Sequence, residues 1–218
     1  MTVSRSVRGG QSTMAKRRAD RRRSDRVASD ERWEAIVDAG SKVFRRLGFA
    51  QANLEDVARE VGLNRATLYY YVADKEELLV AIVDEPLERM TSDLRAIAAL
   101  DLPASERLRR AVVQHMRSLE EAPELCIFLA ENLRLLMSGR DHEIQANAHE
   151  YASAMAGIVA AGIATGELRD DVDPRLAMLG LIGMLNWSHR WYRPGGAMTL
   201  AEIGEQFAAT FLDGLRSR

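Results

Sequence analysis

Cysteine is nearly absent. Cys126 is the only one in 218 residues, so no internal disulfide framework can form, and a reducing cytoplasm is the expected compartment. Its neighbours Leu125, Ile127 and Phe128 predict a buried structural thiol rather than a nucleophile. Aromatic residues are scarce at 6%, strand-like alternation is missing from residue 101 onward, and Ala and Leu abound, which points to an all-α chain. The longest apolar run, Leu176 to Leu185, is far shorter than the roughly 20 residues a spanning helix needs. The basic N-terminus is not followed by the apolar core of a secretory signal. Also missing are a paired nucleophile and base, a glycine-rich phosphate loop after a strand, and metal-ligand spacing. His142 and His149 stand seven residues apart without cysteine or a compact acid set. A cytoplasmic protein that is not an enzyme, with no catalytic residue, metal or cofactor and no membrane partner, is the expectation.

What is present is an apolar content of 47%, enough for a sizeable core, and a charge asymmetry hidden in the net value of −2. Residues 1–30 carry Arg5, Arg8, Lys16, Arg17, Arg18, Arg21, Arg22, Arg23 and Arg26 against Asp20, Asp25 and Asp30. The rest of the chain is therefore acidic. Residues 1–29, rich in Arg, Ser and Gly, are expected to be a disordered basic arm. Such an arm is either an inert tail or a segment that tracks phosphates or enters a minor groove.

The stretch Asn53 to Leu78, NLEDVAREVGLNRATLYYYVADKEEL, carries the most information. Asn53 suits the cap of a short helix with Glu55 and Asp56 in its first turn, and Leu54, Val57, Ala58 and Val61 recur at helical spacing. Gly62 supplies a left-handed turn. A second helix, Arg65 to Tyr71, follows the potential cap Asn64. Exposed Arg, Thr and Tyr near its start suit a major-groove reader, since Arg bonds a guanine edge in two places and hydroxyls bond phosphate oxygens. The competing reading is an ordinary αα-hairpin filled by tyrosines.

The string GLNRATLYYYVADKEEL resembles the DNA-binding signature of the TetR family of bacterial transcriptional regulators, and the likeness runs from Trp33 to Leu78. AGSKVFRRLGF is similar to the family's first helix, in which Phe44, Gly48 and Phe49 would hold a three-helix unit together. The resemblance implies an N-terminal helix-turn-helix domain over 30–76 and a C-terminal helical bundle for ligand binding and dimerisation over 77–218. It implies operator phosphates as partners of Thr67, Tyr69 and Lys75, and bases as partners of Arg65 and Tyr70. Asn64, where the family more often has Ser, either caps or reads.

Lys75 to Leu100 reads as a long helix kinked at Pro86. Further helices are expected over Pro103–Leu119, Pro123–Met137, Asp141–Ala164, Pro174–Tyr192 and Thr199–Leu215, separated by turn material that includes Ser138-Gly139. The fifth of these six, apolar nearly all round through Leu185, has to be covered on every side. With the last helix it would form a four-helix bundle across a two-fold axis, making a homodimer suited to palindromic double-stranded operator DNA. His115, Glu131, Arg134, Asn186, Trp187, His189 and Arg190 place polar groups where only core is needed, as in a mostly apolar ligand pocket. Each could equally be structural, Glu131 and Arg134 as a surface bridge.

The segment NWSHRWYRPGG resembles members that answer to acyl-CoA thioesters in fatty-acid or steroid catabolism. That likeness implies Arg190 and Arg193 for coenzyme A phosphates, Trp187 or Trp191 for the acyl or pantetheine wall, and Asn186 and His189 nearby. The alternatives are a DNA-binding protein with no effector and a regulator answering to another hydrophobic ligand.

Overall fold

The structure is a computed structural model that describes residues 29–137 and 142–216, without the side chains of 131–143. The basic arm, the Glu131–Arg134 pair, the Ser138-Gly139 turn and the His142 side chain lie outside what is described. All regular structure among the described residues is helical: α1 (29–47), α2 (Leu54–Val61), α3 (Arg65–Tyr71), α4 (Lys75–Ala98), α5 (Ala104–Glu121), α6 (Glu124–Met137), α7 (His142–Ala164), α8 (Pro174–Asn186), a 3-10 turn (Trp187–Arg190) and α9 (Leu200–Leu215).

The first three helices close around Ile36, Val43, Phe44, Phe49, Leu54, Val57 and Leu68, all buried. Phe44 and Phe49 meet edge to face with centroids 5.1 Å apart, and Gly48 turns the chain between them at φ 76°. α1 is already helical at Ser29. α2 starts in a reciprocal capping box: Asn53 Oδ1 accepts from the Asp56 N–H at 3.0 Å, and Asp56 Oδ2 accepts from the Asn53 N–H at 3.2 Å.

α4 joins the two halves and is buried in both. At its start Leu78, Leu79, Ile82 and Val83 pack under α1, where Gly40 lets the helices approach; a Cβ there would stand 2.8 Å from Leu78. Further along, buried Thr91 donates to Asn147 Oδ1 of α7 at 2.5 Å, and Arg95 pairs with Glu150 at 2.9 Å. The helix runs without a break through Pro86, whose missing N–H leaves the Ile82 carbonyl without its usual donor. α6 ties back to α1 through Glu124, which accepts from Ser41 at 2.5 Å and pairs with Arg45 at 3.4 Å.

α5 and α9 form the tightest helix pair. Gly204 brings α9 so close that a Cβ would stand 3.1 Å from the Val113 backbone, and Arg109 reaches Glu205 at 2.6 Å. α5 follows Pro103 and has no side-chain cap of its own. The Glu167 carboxylate, from the turn after α7, supplies one, accepting from the Ala104 N–H at 3.0 Å and from the Ser105 N–H and hydroxyl at 3.1 Å. Burial works against the charge on Glu167; these bonds, with one from Thr165, overcome it and hold the carboxyl below its ordinary range.

A carboxylate whose folded-state pKa is depressed stabilises fully above its unfolded pKa, and the benefit goes as pH falls through the folded value. Glu167→Ala is accordingly expected to lower stability by about 1 kcal/mol near neutral pH. The deficit should shrink toward pH 3, measured by urea titration of wild type and variant at both pH values.

Candidate functional site

Residues on and before α3 form the first candidate surface. Asn64 caps the helix: its Oδ1 accepts from the Thr67 N–H at 2.8 Å and from the Thr67 hydroxyl at 3.0 Å. Leu68 is wholly buried and fixes which side of the helix faces out. The outward side carries Arg65, Tyr69 and Tyr70, with Tyr70 85% exposed. The Tyr70 ring meets Tyr71 edge to face at 5.4 Å and is otherwise open to solvent. Arg65 lies 2.9 Å from Glu55 and 5.2 Å from the Tyr69 ring centroid.

Lys75 points inward. Its ammonium donates to the carbonyls of Phe49 at 2.7 Å, Ala52 at 3.2 Å and Ala50 at 3.3 Å, and lies 4.6 Å from the Phe49 ring centroid. Three donors meet three acceptors, so Lys75 fastens the α1–α2 turn to the start of α4. Sequence reasoning missed this anchor and the Glu55–Arg65 pair, because both depend on where the turns bring distant residues. The family resemblance supplied a role for Lys75, and the first-turn position supplied one for Glu55.

The six residues marked for a ligand divide into four groups. Trp187 and Arg190 stack on each other on the surface, the guanidinium carbon 5.5 Å from the indole centroid. Trp191 and Arg193 line an open cleft of about 420 Å³ with Met198, Ile203 and Phe207, Trp191 meeting Phe207 at 6.2 Å. His189 lines a second cleft of about 380 Å³ between the 3-10 turn, Cys126 and Ile127 of α6 and the turn Gly48–Gln51. The expected helix through Tyr192 stops at Asn186, where a 3-10 turn takes over; His189 Nδ1 lies 2.5 Å from the Asn186 carbonyl at that junction. Cys126 is half-buried, and burial, with Glu124 adding its charge, pushes its thiol pKa up.

Asn186 turns into the core, where it meets a polar cluster. His115 Nδ1 and the Tyr151 hydroxyl are 2.9 Å apart, both residues buried. Asn186 stands beside His115 and favours its protonated ring, yet neither Asn186 Oδ1 nor His115 Nε2 has a hydrogen bond of good geometry. The hydroxyl of Ser188, also buried, has no partner. Unsatisfied polar atoms in a core are destabilising, by about 1–3 kcal/mol each, so Asn186 and His115 are costly as packing. His115 was visible in the sequence as a polar intruder on an apolar face; Tyr151 and Ser188 gave no such signal.

This is the architecture of a two-domain helical DNA-reading protein, with a helix-turn-helix unit joined by one long helix to a bundle. The profile described as "Bacterial regulatory proteins, tetR family" matches residues 36–82, and that described as "Tetracyclin repressor-like, C-terminal domain" matches 101–215. The chain belongs to the TetR family and is a DNA-binding transcriptional regulator. It is 32% identical to a TetR/AcrR-family transcriptional regulator from Thermobifida fusca YX-ER1, with TM-score 0.67 over 86% of this chain and 100% of that one. It is 25% identical to the HTH-type transcriptional repressor KstR2 of Rhodococcus jostii (strain RHA1), over 88% of this chain and 95% of that protein. The fold is shared with the Bacillus subtilis transcriptional regulator FadR in complex with stearoyl-CoA, at 22% identity and TM-score 0.66 over 84% and 98% of the two chains. Among the described residues no helix is long and apolar enough to cross a membrane.

Burial lowers the His115 pKa to about 4, with Asn186 opposing. Being depressed, it contributes stability that is complete above the unfolded value near 6.5 and lost as pH falls toward 4. Melting temperatures of wild type and His115→Gln, taken between pH 7.5 and 4.5, should therefore converge on the acid side, because the glutamine has no charge to acquire.

Proposed function

We propose that the protein is a cytoplasmic homodimeric repressor that holds its operator through α3 and releases it when a coenzyme A thioester of a hydrophobic acid binds the C-terminal domain. The observation that carries the DNA contact is the outward row Arg65, Tyr69 and Tyr70 on a helix whose other side is locked by Leu68. In this reading Arg65 and Tyr70 contact bases, while Thr67 and Tyr69 bond phosphates. Lys75 adds its charge from beside the anchored turn, and Asn64 serves the surface mainly as the cap that sets where α3 begins.

The case for the dimer rests on α8. Leu176 is 68% exposed and Leu179 53%, and with Gly180 and Gly183 they recur at three- and four-residue spacing on one face. A Cβ at either glycine would meet nothing within 4 Å. A helix that was expected to be covered on every side is thus left open on one, with glycines that admit another helix closely. A second copy of the α8–α9 pair covers that face and places two α3 helices for palindromic half-sites. Leu179→Glu should give a folded monomer by light scattering with unchanged helical circular dichroism, and lose at least 100-fold in operator affinity. A variant that stays dimeric would move the interface elsewhere.

The thioester reading is supported by two exposed guanidinium groups, Arg190 stacked on Trp187 and Arg193 donating to the Tyr192 carbonyl at 3.0 Å, and by the apolar walls Trp191, Ile203 and Phe207 of the cleft that Arg193 lines. The relative from Bacillus subtilis holds stearoyl-CoA within the same fold. Binding releases DNA only if the ligand prefers the dimer whose reading helices no longer match successive grooves. Fluorescence anisotropy on upstream intergenic DNA tests this with long-chain and steroid-derived acyl-CoAs. Release is expected with thioesters but not with free coenzyme A or the free acid. Arg190→Ala and Arg193→Ala should each raise the half-release concentration about tenfold, the loss of roughly 1.4 kcal/mol of phosphate contact. Specific binding that no thioester disturbs would remove the effector and leave the DNA-reading surface.

A further inference from the structure

We propose that Glu55 is a positioning residue for sequence specificity: its carboxylate, on the helix before the reading helix, holds Arg65 so that one edge of the guanidinium faces the DNA. The proposal rests on Arg65 being a base reader, as above. Arg65 opens α3 and is 70% exposed. Left free, so long a side chain samples many rotamers and meets a phosphate as readily as a guanine.

Arg65 is not left free. Its Nη1 lies 2.9 Å from Glu55 Oε1, and its guanidinium carbon lies 5.2 Å from the Tyr69 centroid, so a charge holds one edge while a ring flanks the group. The carboxylate is itself well placed. The Asn53–Asp56 capping box fixes the first turn of α2, in which Glu55 sits. Gly62, left-handed at φ 71°, and the bond from the Leu63 N–H to the Ala58 carbonyl at 2.8 Å fix how α3 follows α2. Asp56, the other acid of that turn, is taken by the capping box and by Arg59 at 3.2 Å. Glu55 is thus the first-turn acid left to meet Arg65.

The choice of nitrogen matters. Nη1 is the amine on the same side as the aliphatic stem, so engaging it leaves the opposite edge, Nε and Nη2. Glu55 meets Arg65 as an ion pair through Nη1, and no hydrogen bond from Nε or Nη2 occurs among the described residues. Nε–H and Nη2–H form the parallel pair that fits O6 and N7 of guanine. A carboxylate near the duplex otherwise repels phosphate, which makes the two roles separable: a repelling acid weakens all DNA binding, whereas a positioning acid sharpens the choice of base.

The test uses the full-length protein. An operator is selected from random duplexes with wild type. Anisotropy then measures affinity for that operator, for each of its single-base substitutions and for a scrambled duplex, with wild type, Glu55→Gln, Arg65→Ala and the double variant. Glu55→Gln is isosteric and half-exposed, and its helical circular dichroism should match wild type. The expected result is that Glu55→Gln loses about tenfold of the preference at one G·C pair while scrambled-duplex affinity holds or rises. Arg65→Ala should lose preference at the same pair, with no further loss in the double variant. Equal tightening on operator and scrambled DNA by Glu55→Gln would overturn the proposal and reduce Glu55 to a repelling surface acid. Loss at different base pairs in the two single variants would overturn it as well. A wild type that selects no sequence would instead overturn the base-reading role of Arg65, and this proposal with it.

Discussion

The close approach of α1 to α4 at Gly40 is the constraint on which the rest of the structure depends. A side chain at that position would meet Leu78 and Ile82. Without one, α1 settles on the buried start of α4, and the three-helix unit acquires a fixed attitude to the bundle. The same α4 continues into contact with α7 through Thr91 and Arg95, so one helix touches both the reading unit and the bundle. Lys75 completes the arrangement by fastening the α1–α2 turn to the first residues of α4. Its charge, beside the reading surface, is used first for structure.

The distribution of polarity in the C-terminal domain is inverted in two places. Leucines lie exposed on α8, while His115, Tyr151 and Asn186 form a polar group inside and the Ser188 hydroxyl is buried without a partner. A core chosen for stability alone would reverse both, since exposed apolar area and unpaired buried polar atoms each destabilise an isolated chain. Both irregularities converge on α8 and the 3-10 turn that ends it. The turn also faces the DNA-reading unit, because His189 lines a cleft with residues 47–51. The C-terminal domain therefore adjoins the reading unit in two places, along α4 and at that cleft.

Much of the reading unit was legible in the sequence because its determinants are local. Asn53, Gly62 and Asn64 act within three or four residues of themselves, so cap, turn and cap could be placed by spacing, and Phe44 and Phe49 flank the glycine that brings them together. The six ligand residues were less tractable. With the helix ending at Asn186 and tightening into a 3-10 turn, they lie on the surface, in a cleft against α9, in a second cleft beside α6, and toward the core.

The sequence by itself determined an all-helical chain, the positions of caps and glycine turns, and which residues of α3 are free to face outward, because these follow from periodicity and from hydrogen bonds over a few residues. Tertiary structure alone decided the contacts between groups far apart in the chain. It gave Lys75 three carbonyls 23 to 26 residues away, brought Glu167 to the uncapped end of α5, and set Glu55 against Arg65. Such pairings depend on the angles at which helices leave their turns, and no spacing in the sequence encodes an angle.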